Sequence, residues 1–341
     1  MRTSRRSSRP EGPPRRGALA AIGGGTGLAA VLSGLKHLVG TGGITELSGI
    51  VTVTDDGGSS GRLRREFGVL PPGDIRNCLV ALADDEALLA RLFQYRFPLG
   101  VGLSGHSFGN LFLTALTEIT GDFYQAILTA ESILSVRGKI LPATLEDVTL
   151  HGRGLSGRQY HGEVAVGTSG EALDELRLHP PDPAPFPAAV DALRGADLIL
   201  LGPGSLYTSI LPNLLIPGIR RAIDESHALV VLLLNLMTQP RETDGMDALA
   251  HLLALERAAG EGLVDIVLVN DHRPSPNSLA AYAEHGSLLV NVDRSAIEGL
   301  GVQIVGADLL ADGDLIRHDS AKLAVAVAGL LGRSGSRALP P

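Results

Sequence analysis

Between residues 51 and 65 the chain reads Val51-Thr-Val-Thr-Asp55-Asp56-Gly57-Gly58-Ser59-Ser60-Gly61-Arg62-Leu-Arg64-Arg65. A β-branched strand ends there in two carboxylates, which are followed by small turn residues and then by three arginines. Backbone amides freed by glycine, hydroxyl groups and guanidinium forks are the donors that a phosphate needs. Carboxylates suit ribose hydroxyls or a hydrated Mg²⁺ ion. The stretch therefore predicts part of a nucleotide site at the end of a strand.

A second glycine-rich turn lies upstream, at Ile22-Gly23-Gly24-Gly25-Thr26-Gly27-Leu28, between an apolar strand and an apolar helix. With Ala30 it fits the G-x-G-x-x-A form of the dinucleotide fingerprint. Glycine lets the backbone approach a phosphate, and the start of the helix supplies free N–H groups. We expect Gly24, Gly25, Thr26 and Gly27 to face one phosphate. The alternative is a tight turn without a ligand.

A third glycine turn, Gly202-Pro203-Gly204-Ser205, follows another apolar strand. We expect Gly204 and Ser205 to face a second phosphate. The glycine turns at 23–27 and 202–205 each follow a strand. They predict a site that spans the middle of a sheet, because doubly wound sheets bind ligands beyond the carboxyl ends of their strands.

Carboxylate and guanidinium groups surround these turns. Asp55 ends a strand where an acidic residue of a Rossmann fold bonds a ribose hydroxyl, so it is predicted to hold that hydroxyl or Mg²⁺. Asp56 is predicted to share this task, although Asp-Asp-Gly-Gly also fits the start of a simple turn. Arg62 is predicted to neutralise phosphate charge, and it also fits a solvated helix face. Asp74 is placed either to line the site or to cap a helix that runs to residue 83.

The remaining predicted binding residues are polar groups at turns and helix starts: Ser60, Asn77, His106 and Asn110. The segment Gly105-His106-Ser107-Phe108-Gly109 also fits the G-x-S-x-G nucleophile elbow of serine hydrolases. That elbow requires a strand directly before the serine, whereas a loop broken by proline and glycine precedes it here. His106, Ser107 and Asn110 are therefore predicted to lie at the start of a helix.

Short apolar runs alternate with amphipathic segments along most of the chain. Strands are predicted at 18–22, 47–53, 197–201, 228–236, 263–269 and 302–305, and helices at 28–38, 74–83, 87–96, 111–119 and 320–331. Residues 140–170 alternate with glycine turns and predict a small β-rich insertion, and the proline-rich segment 175–187 predicts a surface connection. The pattern indicates an α/β protein with a Rossmann-like, doubly wound, mostly parallel sheet.

The charge distribution divides the chain into a basic tail and an acidic body. Residues 1–16 hold six arginines and one glutamate, which leaves 23 basic and 36 acidic residues in the rest of the chain. We predict a disordered tail at 1–16, one nucleotide-binding domain at 17–332 and a flexible C-terminus at 333–341. An acidic body argues against general nucleic-acid binding, and an aromatic content of 4% argues against base stacking on single strands.

Two further features bear on location and metals. Residues 17–35 carry no charge and resemble a signal segment, but six glycines favour strand, turn and helix instead. One cysteine fits a reducing cytosol, so we expect a cytoplasmic protein without a membrane span. The ten histidines lack the spacing of a metal cage along the chain, which leaves Asp55 as the candidate Mg²⁺ ligand. Oligomeric state is left open.

The chain resembles the bacterial gluconeogenesis factor family (YvcK), within the wider group similar to the 2-phospho-L-lactate transferase CofD. The segments that carry the resemblance are 23–27, 54–77, 106–110, 202–213 and 237–243. The resemblance implies a Rossmann-like fold and a cytosolic protein needed for growth and normal cell shape on gluconeogenic carbon sources. It also implies binding of UDP-N-acetylglucosamine.

With this resemblance, the preferred hypothesis is a regulatory nucleotide-sugar-binding protein, in which Asn213 and Arg241 contact the sugar or the base. Its expected partners are proteins of cell-wall precursor synthesis. The alternative is a Mg²⁺-dependent transferase that acts on a phospho-acid linked to a nucleotide diphosphate, as the phospholactate transferases do. A third hypothesis, that the protein is a dehydrogenase, is supported by the glycine fingerprint alone.

Overall fold

The structure, a computed structural model, describes residues 17–40, 43–84 and 87–332. The predicted disordered tail at 1–16 and flexible C-terminus at 333–341 lie outside these residues. Across the described ranges, no helix combines the length and the apolar character needed to cross a bilayer.

The described residues form a seven-stranded sheet and a separate three-stranded sheet. In chain order the strands are β1 (Gly17–Gly23), β2 (Ile44–Val51), β3 (Lys139–Pro142), β4 (Thr149–Gly154), β5 (Gln159–His161), β6 (Leu173–His179), β7 (Leu198–Leu201), β8 (Leu229–Leu233), β9 (Ile266–Asn270) and β10 (Gln303–Ala307).

Helices connect the strands. They are α1 (Gly25–Leu35), α2 (Gly58–Phe67), α3 (Gly73–Leu82), α4 (Ala87–Gln94), α5 (Phe108–Thr120), α6 (Phe123–Leu134), α7 (Glu163–Gly167), α8 (Pro187–Arg194), α9 (Leu211–Leu214), α10 (Pro217–Glu225), α11 (Ala248–Ala259), α12 (Pro276–Ala283), α13 (Arg294–Glu298) and α14 (Ser320–Leu331). A 3₁₀ turn at Lys36–Leu38 extends α1, and a π-helical turn at Leu206–Ile210 precedes α9.

The large sheet has the order β10-β9-β8-β7-β1-β2-β3, and all its strand pairs are parallel. From β1 the chain builds outward through β2 and β3, and then returns to β7 on the other side of β1. The topological switch point therefore lies between β1 and β7, where both strands end in a glycine turn. The predicted Rossmann-like α/β fold is confirmed.

Both faces of the sheet are covered by apolar side chains. Along β1, Leu19 and Ala21 join one hydrophobic core, whereas Ala20 and Ile22 join the other. Alternation with period two would leave one face polar, so this uniformly apolar strand is typical of a parallel sheet with helices on both sides. The uncharged segment 17–35 is thus a buried strand, a turn and a helix, as its glycines predicted.

The small insertion is real, but its predicted bounds of 140–170 are wrong at both ends. Lys139–Pro142 pairs with β2 as the edge strand of the large sheet, whereas the small sheet has the order β5-β4-β6 and runs from 149 to 179. Its last strand, β6, occupies part of the segment predicted to be a proline-rich connection. Sequence alternation reveals strands but does not reveal which sheet a strand joins.

Helix α1 lies against α14 with unusually little space between them. A Cβ atom built on Gly34 would lie 1.9 Å from the carbonyl oxygen of Ser320, which is backbone and cannot turn away. Glycine at position 34 thus lets the helix that follows the first glycine turn pack directly on the last helix.

We predict that Gly34→Ala lowers the free energy of unfolding by about 3 kcal/mol, because overpacking against backbone forces the two helices apart. The matched control is Gly329→Ala on α14, where an added Cβ meets nothing within 4 Å. This control should raise stability by up to about 1 kcal/mol through helix propensity. Urea unfolding measures both, and equal stability of the two variants would contradict the packing argument.

Candidate functional site

The two glycine turns meet at the switch point with backbone against backbone. A Cβ atom on Gly27 would lie 2.3 Å from the carbonyl oxygen of Pro203 and 3.1 Å from the Cα of Gly204. Only glycine at position 27 allows this contact. The start of α1 and the turn after β7 therefore form one continuous floor, as the sequence predicts for a site across the middle of the sheet.

Side-chain amides hold the second glycine turn in place. The Asn235 side chain accepts a hydrogen bond from the Gly204 N–H (3.1 Å) and donates one to the Gly204 carbonyl (2.8 Å). The Gln239 side chain donates to the Ser205 hydroxyl at 2.7 Å. Because both amides follow β8, the neighbouring strand fixes the conformation of the turn.

A cleft of about 600 Å³ lies above this floor. The predicted residues Gly24, Gly25, Thr26, Gly27, Gly204 and Ser205 all line it. The opposite wall comes from α12 and from the segment before α14, and it includes Tyr282, Arg317 and His318. The Tyr282 hydroxyl accepts a hydrogen bond from the Ile316 N–H at 3.1 Å, which ties the two parts of this wall together.

His318 is neutral in this wall at physiological pH. Burial lowers the pKa of its imidazole to about 4, although a hydrogen bond to the Leu234 carbonyl acts in the opposite direction. Its Nε2 atom is shielded from solvent and has no hydrogen-bond partner in the described part of the chain. Among the described residues of this wall, the exposed Arg317 is thus the one cation available to an anionic ligand.

Asp74 carries a negative charge to the edge of the glycine floor. Its carboxylate lies against the start of α1: a Cβ atom built on Gly24 would lie 2.6 Å from Asp74 Oδ2, and an interaction with the Gly25 N–H lowers the Asp74 pKa. The prediction that Asp74 caps its own helix is wrong, because Pro72 is the N-cap residue and Asp74 lies inside the first turn of α3. Burial and then the charge of Asp55 raise the pKa of Asp74 to about 6, against the opposing effects of the Gly25 bond and Arg76.

A second, smaller cleft of about 260 Å³ lies on the β2 side of the floor. Its lining includes five of the predicted residues: Asp55, Ser60, Asp74, Asn77 and Asn110. Arg76 and Arg96 also line it. Asp74 lines this smaller cleft. Its carboxylate also interacts with Gly25, which lines the larger cleft.

The insertion that forms the small sheet supplies a further carboxylate. Glu163, on α7, accepts a 2.5 Å hydrogen bond from the Thr54 hydroxyl. Burial, followed by the charges of Asp55 and Asp74, raises the pKa of Glu163 well above its usual value. Asp56 anchors the same helix by accepting a hydrogen bond from the Val164 N–H at 3.0 Å.

The carboxylates near the two clefts do not form a cage for a metal ion within the described residues. In the ranges that the structure describes, no three or more His, Cys, Asp or Glu side chains are placed to hold a metal ion together. Mg²⁺ keeps several waters and is bound through one or two carboxylates plus ligand phosphates, so it does not require such a cage. Asp55 fits that role: one carboxylate oxygen accepts from the Gly57 N–H, and the charge of Asp55 acts on Asp74.

A buried arginine organises the start of α5. The Arg76 guanidinium donates to the Ser107 hydroxyl (2.5 Å), the Asn110 side chain (3.0 Å) and the Asn77 side chain (2.6 Å). Ser107 caps α5, which confirms the predicted helix start and excludes a strand-borne nucleophile. His106 is buried and shares a 2.8 Å hydrogen bond with the Ser59 hydroxyl.

Five predicted site residues line neither cleft: Asp56, Arg62, His106, Asn213 and Arg241. Asn213 is 0% exposed and donates to the carbonyls of Gly23 and Ser209, so it holds the end of β1 against the chain before α9. Arg62 donates to the Ser104 carbonyl, and Arg241 donates to the Thr168 carbonyl. Their binding roles remain predictions.

Four side chains that shape the site were not among the predicted binding residues: Glu163, Asn235, Gln239 and Glu242. Of these, Gln239 and Glu242 lie in segment 237–243, which carries the family resemblance. Glu242 is buried and accepts from the Tyr207 N–H at 3.0 Å, so it fixes the π-helical turn. Asn235 and Gln239 lie in the segment after β8. A polar residue beyond the end of a parallel strand is the sequence signal that could have identified them. Glu163 lies in an insertion whose packing no local pattern reveals.

The chain is similar to a described protein family and to several known proteins. The family described as 2-phospho-L-lactate transferase CofD matches residues 19–310. A gluconeogenesis factor from Bacillus subtilis is 43% identical over 314 residues, covering 92% of this chain and 98% of that protein. A Nostoc sp. protein named for the same factor is 50% identical over 306 residues, which is 89% of this chain and 66% of that longer protein.

A solved structure shares the fold along nearly the whole chain. The crystal structure of a protein from Bacillus halodurans, described elsewhere as a member of the UPF0052 family, superposes with a TM-score of 0.88 at 44% identity. The match covers 92% of this chain and 99% of that chain.

We predict that Asp74 makes stability depend on pH between about 4 and 6. Its pKa is about 6 when folded and 3.8 in the reference state, so in this window the folded chain binds the extra proton. The free energy of unfolding therefore falls as pH rises through the window and stays constant above it. Asp74→Asn should remove a decline on the order of 2 kcal/mol.

Chemical unfolding of wild type and Asp74→Asn at pH 4, 5, 6 and 7 measures this difference. The Asp74 charge also raises the pKa of Glu163, so the same comparison in a Glu163→Gln background isolates Asp74. Asp191→Asn, an exposed carboxylate on α8, is the control and should follow wild type. A difference between wild type and Asp74→Asn that does not change with pH would contradict the assignment.

Proposed function

The chain belongs to the CofD family of 2-phospho-L-lactate transferases and their relatives, and we propose that it is a nucleotide-sugar-binding regulatory protein. The observation that carries the proposal is the contact of Gly27 with Pro203 and Gly204, which joins two phosphate-binding turns into one floor. A floor of two turns suits a diphosphate, because each phosphate then meets its own set of backbone donors.

The ligand we propose is UDP-N-acetylglucosamine. Its diphosphate would lie on Gly25, Thr26 and Gly27 on one side and on Gly204 and Ser205 on the other. The exposed Arg317 lies across the cleft from the floor and offers a charge-assisted hydrogen bond. Tyr282 and His318 supply flat rings on the same wall, where a uracil base or a sugar ring can pack.

Asp74 gives this site two states. The Asp74 carboxylate already lies beside Gly24 and interacts with the Gly25 N–H that a phosphate needs, so binding would exchange one anion for another. An arriving diphosphate pushes the Asp74 carboxylate away from α1 or favours its protonated form. A sensor requires only that the ligand prefer one of two conformations, and this exchange provides such a difference on α3.

The proposed biological setting follows the relatives named gluconeogenesis factor. We propose that the protein is cytoplasmic, supports growth and cell shape on gluconeogenic carbon sources, and reports the level of the acetylated sugar nucleotide to proteins of cell-wall precursor synthesis. Such a sensor has no need of turnover.

One observation favours a second function, a Mg²⁺-dependent transferase. The charge of Asp55 raises the pKa values of both Asp74 and the buried Glu163, and the charge of Asp74 also raises that of Glu163. One or two of these carboxylates would hold Mg²⁺, which would neutralise charge on a leaving diphosphate. The chain's own part would be to orient the phospho-acid with Arg76 and Arg96, which line the cleft.

We predict that Arg317→Ala weakens binding of UDP-N-acetylglucosamine at least tenfold, because a hydrogen bond to a charged group contributes about 1.5 to 3 kcal/mol. Calorimetric titration of wild type and variant with this ligand measures the change. Arg221→Ala, an exposed arginine on α10, is the matched control and should bind as wild type does. Absence of binding to wild type would overturn the proposed function.

A separate prediction distinguishes the sensor from the transferase. If the protein is a sensor that needs no metal, Asp55→Asn leaves the affinity for UDP-N-acetylglucosamine within about threefold, with or without Mg²⁺. For a transferase, GDP and its phospho-acid adducts should bind only with Mg²⁺, and Asp55→Asn should abolish that dependence. Titrations of both proteins with UDP-N-acetylglucosamine and GDP, each with and without Mg²⁺, decide between the two.

A further inference from the structure

Three of the ten histidines lie together on the small sheet, away from both clefts. His151 on β4 is the direct register partner of His161 on β5. His179 ends β6, on the other side of β4. The neighbours of His151 in the chain, Leu150 and Gly152, are buried, so the histidines lie on the outer face of the sheet.

The rings of the register pair face each other through their Nδ1 atoms, which lie 3.2 Å apart. The His179 ring stacks on His151 with a centroid distance of 5.4 Å and an interplanar angle of 20°. Directly opposite residues of an antiparallel pair have their Cβ atoms closest, so the backbone itself brings the two imidazoles together.

We propose that His151 and His161 bind a divalent transition-metal ion such as Zn²⁺ or Ni²⁺ through one imidazole nitrogen each. Two nitrogens bound to one tetrahedral Zn²⁺ at about 2.0 to 2.1 Å lie about 3.3 Å apart, close to the separation already present. Imidazole nitrogen suits these ions, whereas Mg²⁺ prefers oxygen.

Water completes the coordination, since the described residues offer no third ligand placed to bind the ion. The pair is exposed, so the ion keeps part of its hydration shell. Both Nδ1 atoms must be free of protons to bind, and the proton of the Nδ1-to-Nδ1 hydrogen bond is lost to solvent or moves to an outward Nε2 atom.

The position of the pair links it to the carboxylate end of the site. His161 is followed by Gly162, the N-cap residue of α7, and α7 carries Glu163 and Val164 to Thr54 and Asp56. A metal ion that joins β4 to β5 therefore restrains the segment on which Glu163 lies.

The test is calorimetric titration of the full, untagged chain with NiCl₂, ZnCl₂ and MgCl₂ in a buffer that does not chelate metals. We expect wild type to bind one Ni²⁺ or Zn²⁺ ion and to show no response to Mg²⁺. His151→Gln and His161→Gln should each lower the affinity at least tenfold. Cys78 is fully buried, so it offers the ions no competing thiolate.

The matched control is His227→Gln, a single exposed histidine, which should bind the ions as wild type does. Thermal unfolding gives a second readout: a saturating concentration of Zn²⁺ should raise the wild-type Tm by about 2 to 4 °C and leave both pair variants unchanged. Failure of wild type to bind, or binding retained in both His151→Gln and His161→Gln, would overturn the proposal.

Discussion

The contact between Gly27 and the Pro203–Gly204 backbone is the constraint on which the site depends. Its closeness, 2.3 Å from a Cβ position to a carbonyl oxygen, means that α1 can begin where it does only because residue 27 has no side chain. From that contact follow the floor shared by two strands, the anchoring of the second turn by Asn235, and the approach of α1 to α14 at Gly34. The fold brings β1 beside β7, and glycine turns that adjacency into a surface for a ligand.

Electrostatics set the character of the two clefts. Among the described lining residues, the larger cleft offers backbone donors on its glycine floor and one exposed arginine on the opposite wall. The smaller cleft is lined by the carboxylates of Asp55 and Asp74 together with Arg76 and Arg96. Because Asp74 lines the smaller cleft and its carboxylate lies against Gly24 of the glycine floor, one side chain adjoins both clefts.

Sequence patterns predicted the fold well because each strand and each turn is marked by residues that are adjacent in the chain. The apolar runs before Gly23, Gly202 and Leu234 mark parallel strands, and glycine with a helix start marks the turns that follow. Residues that act through distant contacts escaped such reasoning. Glu163 reaches Thr54 from an insertion more than a hundred residues later, and Asp74 looked like a cap because its partner, Gly25, lies on another loop. His151 and His161 are neighbours only across strands.

The small sheet enters the chain between β3 and α8, so it lies outside the register of the large sheet. The segment that carries it nevertheless brings Glu163 to Thr54, within the influence of the Asp55 and Asp74 charges, and contacts Asp56 through Val164. The parallel sheet and this buried carboxylate are therefore encoded in separable stretches of the chain. A mutation within 149–179 can change the surroundings of Glu163 while every parallel strand keeps its partner.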